Sequence, residues 1–472
     1  MRVISTAPAP AIASADTPAA SPWPAFWIAC SATFLVSLDT TMLYAAFEAL
    51  RRSFAGSSAA ELSWVLNAYT VVYAAMLIPA GGLADAYGRR RVFRLGLTVF
   101  VFASVACGAA PTVGWLIAAR VLQALGAALL TPASMSIVLA AFPAEKRSVV
   151  VSLWGAVGGL AAAVGPSLGS WVTDQAGWPW AFYINAPVGL WALWRSAQRV
   201  QEAVKNPQRR RVDVVGLCLL MVAVGALALA IVESGESRWR TQEVALMGVG
   251  GLMTLALFVL WARSRPDALV DLALFEHRTY RFVNAATLVF GTAFSMMFLG
   301  FFFYMMGVWH YSLPQAGLAV TPGPLLVMPT AILTGRLAAR LGHRRFLVGG
   351  ALLYAASSLW LWWVPGSEPN YLLHWLPGLV MSGVAVGLVL PSLSAAAVSR
   401  LPMAHYAVGS AVNQATRQIG SVLGVAITVA LLGHAALQRA DFNVLYLLHA
   451  TLALLTGLLC LPVDTRPRSA PA

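Results

Sequence analysis

Apolar residues in this chain gather into long stretches, separated by short breaks of charged residues, glycine and proline. Each stretch runs to about 20 residues, the length an α-helix needs to cross a hydrocarbon layer of roughly 30 Å. Strands of a membrane barrel would alternate apolar and polar positions over about 10 residues, whereas stretches such as Val214 to Ile231 and Val444 to Leu461 are apolar on every face. The pattern predicts an all-α polytopic membrane protein. Its spans fall at about 25–47, 64–84, 92–110, 113–141, 149–171, 180–197 and 213–233, then 243–262, 282–306, 316–339, 345–364, 374–398, 408–434 and 443–462, which makes 14 transmembrane helices.

Composition agrees, since 59% of the 472 residues are hydrophobic and only 10% are charged, against about a quarter charged in a soluble domain. A net charge of +13 would suggest nucleic acid in a soluble protein, but here the basic residues lie in the breaks between spans. With the amino terminus in the cytosol, 24 Lys and Arg fall inside, 5 outside and 2 within spans, the bias that sets the orientation of helical membrane proteins. Both termini are then cytosolic, and the expected location is the bacterial inner membrane. The partners are a lipid bilayer, protons and a small-molecule substrate, with no nucleic acid. The four cysteines and the scattered histidines show no metal-ligand spacing, so no metal is expected. The absence of a phosphate-binding loop argues against ATP. No cofactor is expected beyond a proton gradient, and the chain is read as a monomer that is not an enzyme.

An internal repeat sets the domain layout. Gly, Leu, Ala, Gly and Arg of the segment Gly81 to Arg90 recur at the same spacing 254 residues later in Gly335 to Arg344. At an offset of 259, Ala128, Pro132, Gly165 and Leu168 correspond to Gly387, Pro391, Gly424 and Ile427. The layout becomes a disordered cytosolic tail at 1–24, a six-helix half at 25–200, an inserted two-helix region at 201–280, a second six-helix half at 281–463 and a tail at 464–472. Repeated helical halves place a transport site at their interface, near the middle of the bilayer.

Charges well inside a span cost several kcal/mol and are functional candidates. Here they are Asp39, Arg120 and Arg417. Asp39 and Arg120 are the proton-coupling candidates, although a carboxylate satisfied by helix hydroxyls and a permanent ion pair pinning two helices fit the same positions. Tyr44, Asn67, Gln123, Asn413, Gln414 and Arg417 are assigned to the substrate pathway. Gln123 lies one turn from Arg120, and Asn413, Gln414 and Arg417 share one face of their span. Asn185 is a weaker candidate. The small residues around Gly165, Pro166 and Gly169 predict close helix packing with a bend.

These residues resemble those of the major facilitator superfamily, in its fourteen-span drug:proton antiporter branch, over essentially the whole chain. Gly81, Asp85, Gly88, Arg89 and Arg90 are similar to its gating loop between the second and third helices. The resemblance implies that Asp85 caps the start of the span at 408–434 and that Arg89 lies near Glu145. Arg120 with Gln123 and Gly126 resembles a fourth-helix motif associated with proton transfer. Gly165, Pro166 and Gly169 resemble a fifth-helix motif of exporters, and Leu38, Asp39 and Thr41 resemble the first-helix motif of the branch. The run from Gly177 to Pro187 resembles a further characteristic stretch. Departures are Ala86, Ala124, Ser170, Tyr44 and Glu48. The function implied is proton-coupled efflux of a small amphipathic drug or metabolite. A substrate-specific metabolite exporter or proton symporter is the alternative, and a non-transporting sensor or scaffold a third reading.

Overall fold

The computed structural model describes residues 21–143, 147–200, 213–234, 241–265, 268–401, 406–433 and 437–465. Most of both expected tails, the segment 201–212, and His405 and His434 lie outside them. Among the described residues the fold is helical, with no strand. The first helices are α1 (Trp23–Ser53), α2 (Ala59–Tyr87), α3 (Arg89–Gly108), α4 (Val113–Ala141), α5 (Arg147–Ala176), the short α6 (Trp180–Tyr183) and α7 (Asn185–Arg199). Next come α8 (Val214–Glu233) and α9 (Thr241–Arg263). The remainder are α10 (Arg278–Gly307), α11 (Leu313–Val320), α12 (Pro322–Leu341), α13 (Arg344–Trp363), α14 (Leu376–Val398), α15 (Tyr406–Leu432) and α16 (Phe442–Cys460).

Eleven helical stretches among the described residues are long and apolar enough to cross a membrane. The other three expected spans fall on α2, α5, and α6 with α7. The last of these is split, α6 having 4 residues and α7 15.

Helix ends are set locally. Ser58 accepts the Glu61 N–H at 3.0 Å and Thr112 accepts the Trp115 N–H at 3.2 Å, capping α2 and α4. Gly88 (φ 101°) joins α2 to α3 and Gly342 (φ 76°) joins α12 to α13. Both need the left-handed region that glycine enters without a side-chain clash, and both are members of the same sequence repeat.

Several helix pairings recur between the first and last parts of the chain. The α1 helix packs on α4, α5 and α7, and α10 packs on α14, α15 and α16. The pairs α2·α4 and α3·α4 have their counterparts in α12·α14 and α13·α14. Gly165 and Gly169 let α5 approach α1, where a Cβ at Gly169 would come within 2.8 Å of the Met42 Cα. At the corresponding place Gly424 and Gly420 let α15 lie directly against the backbone of α10. The two groups, α1–α7 and α10–α16, meet chiefly where α2 touches α15 and where α5 touches α11 and α12. Contact between α1 and α10 is sparse.

Between the groups in sequence, α8 packs on α2 and α15, and α9 packs on α8. Leu246, Leu252, Met253, Leu257 and Leu260 on α9 are exposed, a surface suited to lipid rather than water. A polar buckle ties the pair to the segment leading into α10. Asp213 Oδ1 accepts the Gly216 N–H at 2.8 Å and the Trp261 indole N–H at 3.0 Å, and its Oδ2 accepts the Leu269 N–H at 2.9 Å. Partial burial works to raise the Asp213 pKa, but these donors and Arg265 outweigh it and the net shift is downward.

Residues 464 and 465, expected to begin a tail, are docked. Asp464 pairs with Arg400 at 3.2 Å, and the His343 N–H donates to Thr465 Oγ1 at 2.7 Å.

Candidate functional site: two charged clusters within the spans

The first cluster lies inside the group α1–α7. Asp39, on α1, faces α4, where the Arg120 guanidinium donates to its Oδ2 at 2.6 Å. Gln123, one turn further along α4, donates from Nε2 to Asp39 Oδ1 at 2.8 Å and to Ser104 on α3, also at 2.8 Å. Asn185 at the start of α7 donates to the same Oδ1 at 3.0 Å. Arg120 Nε donates to the Val65 carbonyl of α2 at 3.1 Å, Nη1 donates to Gln123 Oε1, and the guanidinium lies 4.0 Å from the centre of the Tyr69 ring. Five helices thus converge on one ion pair whose two side chains are each 1% exposed.

The arrangement answers the cost of burying charge. Every group aimed at the Asp39 oxygens is a donor, and each charge has a partner and further hydrogen bonds, the condition under which a buried pair is tolerated. The cluster is buried in this conformation. The sequence expectation assigned Gln123 to the substrate pathway. Gln123 is instead fully buried within the first group. Asn185, a weaker sequence candidate, proves to be a direct partner of Asp39.

The second cluster lies where the two groups meet. Arg417, on α15, is half-buried, and its Nε is 3.4 Å from Gln414 Oε1. The titratable groups close enough to act on its charge are the phenols of Tyr73 on α2 and Tyr44 on α1. Tyr73 shares a hydrogen bond of 2.9 Å with Thr131 on α4 and lies beside Gln414, while Tyr44 lies beside Ser421. No carboxylate forms an ion pair with Arg417 among the described residues. Tyr44 also lines a cavity of about 380 Å³ between α1 and α10, with Glu48, Phe302 and Phe303 among its walls.

The remaining sequence candidates separate from these clusters. Asn413 does not continue the stripe of Gln414 and Arg417 into the meeting plane. Its Nδ2 donates to Asn284 Oδ1 at 3.1 Å and to Thr287 Oγ1 at 2.9 Å, both on α10 of its own group. Asn67 is buried, and its side-chain amide has no hydrogen-bond partner among the described residues. Arg89 donates to the Ser136 carbonyl of α4 at 3.2 Å and Arg90 to the Ala197 carbonyl of α7 at 3.0 Å, so the loop at Gly88 is anchored on both. Gly81 packs toward Pro132. The side chains of Asp85 and Glu145 lie outside the described residues. Gly165, Pro166 and Gly169 lie where α5 meets both α1 and α11, with Gly165 against Thr41 and the Pro166 carbonyl against Gly317.

Sequence reading missed Tyr69 and Tyr73. Their spacing of four residues on α2 puts both on one face of that helix. His449 is buried on α16 against Ser358 of α13. No cluster of His, Cys, Asp and Glu that could hold a metal occurs among the described residues.

Comparison with known proteins places this geometry. The family model of the Major Facilitator Superfamily matches residues 29–425 and, again, 285–472. Multidrug resistance protein Stp of Mycobacterium tuberculosis is 33% identical over 396 residues, covering 84% of this chain and 73% of Stp. Puromycin resistance protein pur8 of Streptomyces alboniger is 32% identical, covering 86% and 80% of the two chains, and multidrug export protein EmrB of Escherichia coli K12 is 28% identical, covering 85% and 78%. Among solved structures, a D-xylose-proton symporter superposes with a TM-score of 0.67 at 14% identity, over 94% of this chain and 98% of the symporter. That likeness bears on the fold alone.

Proposed function

The chain belongs to the major facilitator superfamily, and from that premise we propose that it is a proton-coupled exporter of small amphipathic compounds. The observation that carries the reading is the sealed Asp39–Arg120 pair, set beside a second polar cluster of Arg417, Gln414, Tyr44 and Tyr73 where the two helix groups meet. Relatives named for multidrug and puromycin resistance support the direction of transport.

In this mechanism Asp39 is the proton site. As a carboxylate it accepts from Arg120, Gln123 and Asn185. Protonation removes the charge that holds Arg120 and leaves one oxygen needing an acceptor where only donors stand. Relief comes from moving α1 relative to α4 and α7. Tyr44 lies five residues further along α1, so such a movement reshapes the cavity and the surroundings of Arg417. The glycine contacts of α5 on α1 supply a smooth track for it. Alternation between two packings of the same helices is the general basis of such carriers.

The wider layout belongs to this proposal as well. Fourteen spans divide as six, two and six, supported by the matching packing of α1–α7 and α10–α16 and by the two family matches. Both termini face the cytosol, supported by the Lys and Arg distribution. The carrier works as a monomer in the inner membrane and draws on the proton gradient, with no bound cofactor.

The test is accumulation by inverted membrane vesicles of a panel containing puromycin, ethidium and fluorescein. The proposal predicts that at least one compound accumulates when a pH gradient is imposed without ATP, and that a protonophore collapses the accumulation. Uptake that depends on ATP, or no gradient-driven accumulation of any of the three, overturns it.

A further inference from the structure

We infer that the transported compound carries an acidic group, and that Arg417 is its counter-ion at the plane where the two helix groups meet. The inference rests on the reading of the chain as a carrier and names the charge of its cargo.

Three observations converge. The first is the contrast between the two guanidiniums. Arg120 is neutralised by Asp39 at 2.6 Å, so the first cluster presents no net charge to a neighbour. Arg417 has no carboxylate partner among the described residues, and its side chain is turned toward hydroxyls and an amide rather than toward an acid. An unpaired cation within a span is costly unless water or a ligand anion reaches it, and Arg417 keeps part of its surface exposed.

The second observation is the shape of the surroundings. Tyr44 on α1 and Tyr73 on α2 belong to the opposite group of helices, and α2 packs directly on α15, so the charge lies where the two groups meet. A guanidinium in such a position can grip a carboxylate or sulfonate with two parallel hydrogen bonds. The third is the cavity that Tyr44 shares. Its wall is aromatic, with Tyr44 and Phe302 beside Phe47 and Phe303, whose ring centres are 6.1 Å apart. Its polar residues include Arg51 and Arg52, which flank Glu48 at 3.3 and 3.7 Å and leave one positive charge in excess. Aromatic walls with a surplus of cations suit an aromatic acid and oppose an aromatic cation.

Xanthene dyes of similar ring structure and opposite charge make the test. Fluorescein is the anion and rhodamine 123 the cation, and binding to the purified full chain in lipid nanodiscs is followed by fluorescence polarisation. Saturable fluorescein binding at least tenfold tighter than rhodamine 123 is expected. Arg417→Gln should weaken fluorescein by about tenfold or more and leave rhodamine 123 unchanged or tightened. Arg417→Lys, which keeps the charge and loses the fork, should fall between. Rhodamine 123 binding within tenfold of fluorescein, absence of saturable fluorescein binding, or an Arg417→Gln protein that melts like wild type and still binds fluorescein normally each overturns the inference. Fluorescein bound but never moved by a pH gradient would instead count against the carrier reading.

Discussion

Two arginines, Arg120 and Arg417, lie deep within spans of this protein, and their surroundings are opposites. Arg120 is closed in by Asp39, Gln123, the Val65 carbonyl and the Tyr69 ring, with five helices of one group contributing to its cluster. Arg417 lies where the two groups meet, half-buried, among phenols and an amide and with no acid in ion-pair contact among the described residues. The first charge is balanced within the protein, whereas the second waits for a balance from outside. A buried pair can be broken only at high cost, so it suits an event that must be rare and driven, such as protonation. An unbalanced cation at a seam suits a cargo that comes and goes.

The largest effect expected from this contrast is on stability. Arg120→Leu leaves Asp39 buried and unpaired and should cost about 3–5 kcal/mol, seen as a drop in the apparent melting midpoint of the purified protein by tryptophan fluorescence. Arg417→Leu removes a charge that nothing compensates and should leave that midpoint unchanged or raise it. Equal losses in the two variants would erase the distinction. The double substitution Asp39→Leu with Arg120→Leu should recover most of what Arg120→Leu loses, because it leaves no orphaned charge.

A smaller effect separates Asn413 from its neighbour on α15. Asn413→Ala strands Asn284 and Thr287 on α10 and should cost about 1–3 kcal/mol, read in the same melting assay. Gln414→Ala should act on dye affinity instead, with a midpoint near wild type.

The smallest effect is remote from both arginines. Asp213→Ala removes a helix cap and should cost about 1 kcal/mol. Because the folded Asp213 pKa is lowered, its contribution is present at neutral pH, above the unfolded carboxylate value of about 3.9, and is lost as pH falls through the folded value. Wild type and Asp213→Ala should therefore differ in melting midpoint at pH 7 and converge in strong acid.

Much of the fold was legible because lipid imposes a length on every span and leaves polar residues little room. Gly88 and Gly342, matched in sequence 254 residues apart, share a backbone reason for being glycine, since both adopt positive φ. Pairing was only half legible. Asp39, Arg120 and Gln123 stood out as polar residues in apolar helices, but no spacing could show that Asn185, 146 residues from Asp39 in sequence, would complete their cluster. Nor could helix periodicity tell that Asn413 would turn to α10 while Gln414 faced α2, since which neighbour each face meets depends on the packing of the whole bundle. Tyr69 and Tyr73 were overlooked because tyrosine in an apolar span reads as a hydrophobe until a cation is seen beside it.

The division of labour between Asp39 and Arg417 is tested most directly by measuring two modes of transport in one vesicle preparation. For a compound that the wild type accumulates, Asp39→Asn should still exchange labelled for unlabelled compound at equal pH on both sides while failing to accumulate it against a pH gradient, and Arg417→Gln should lose both. Gradient-driven accumulation by Asp39→Asn at the wild-type level would contradict the account.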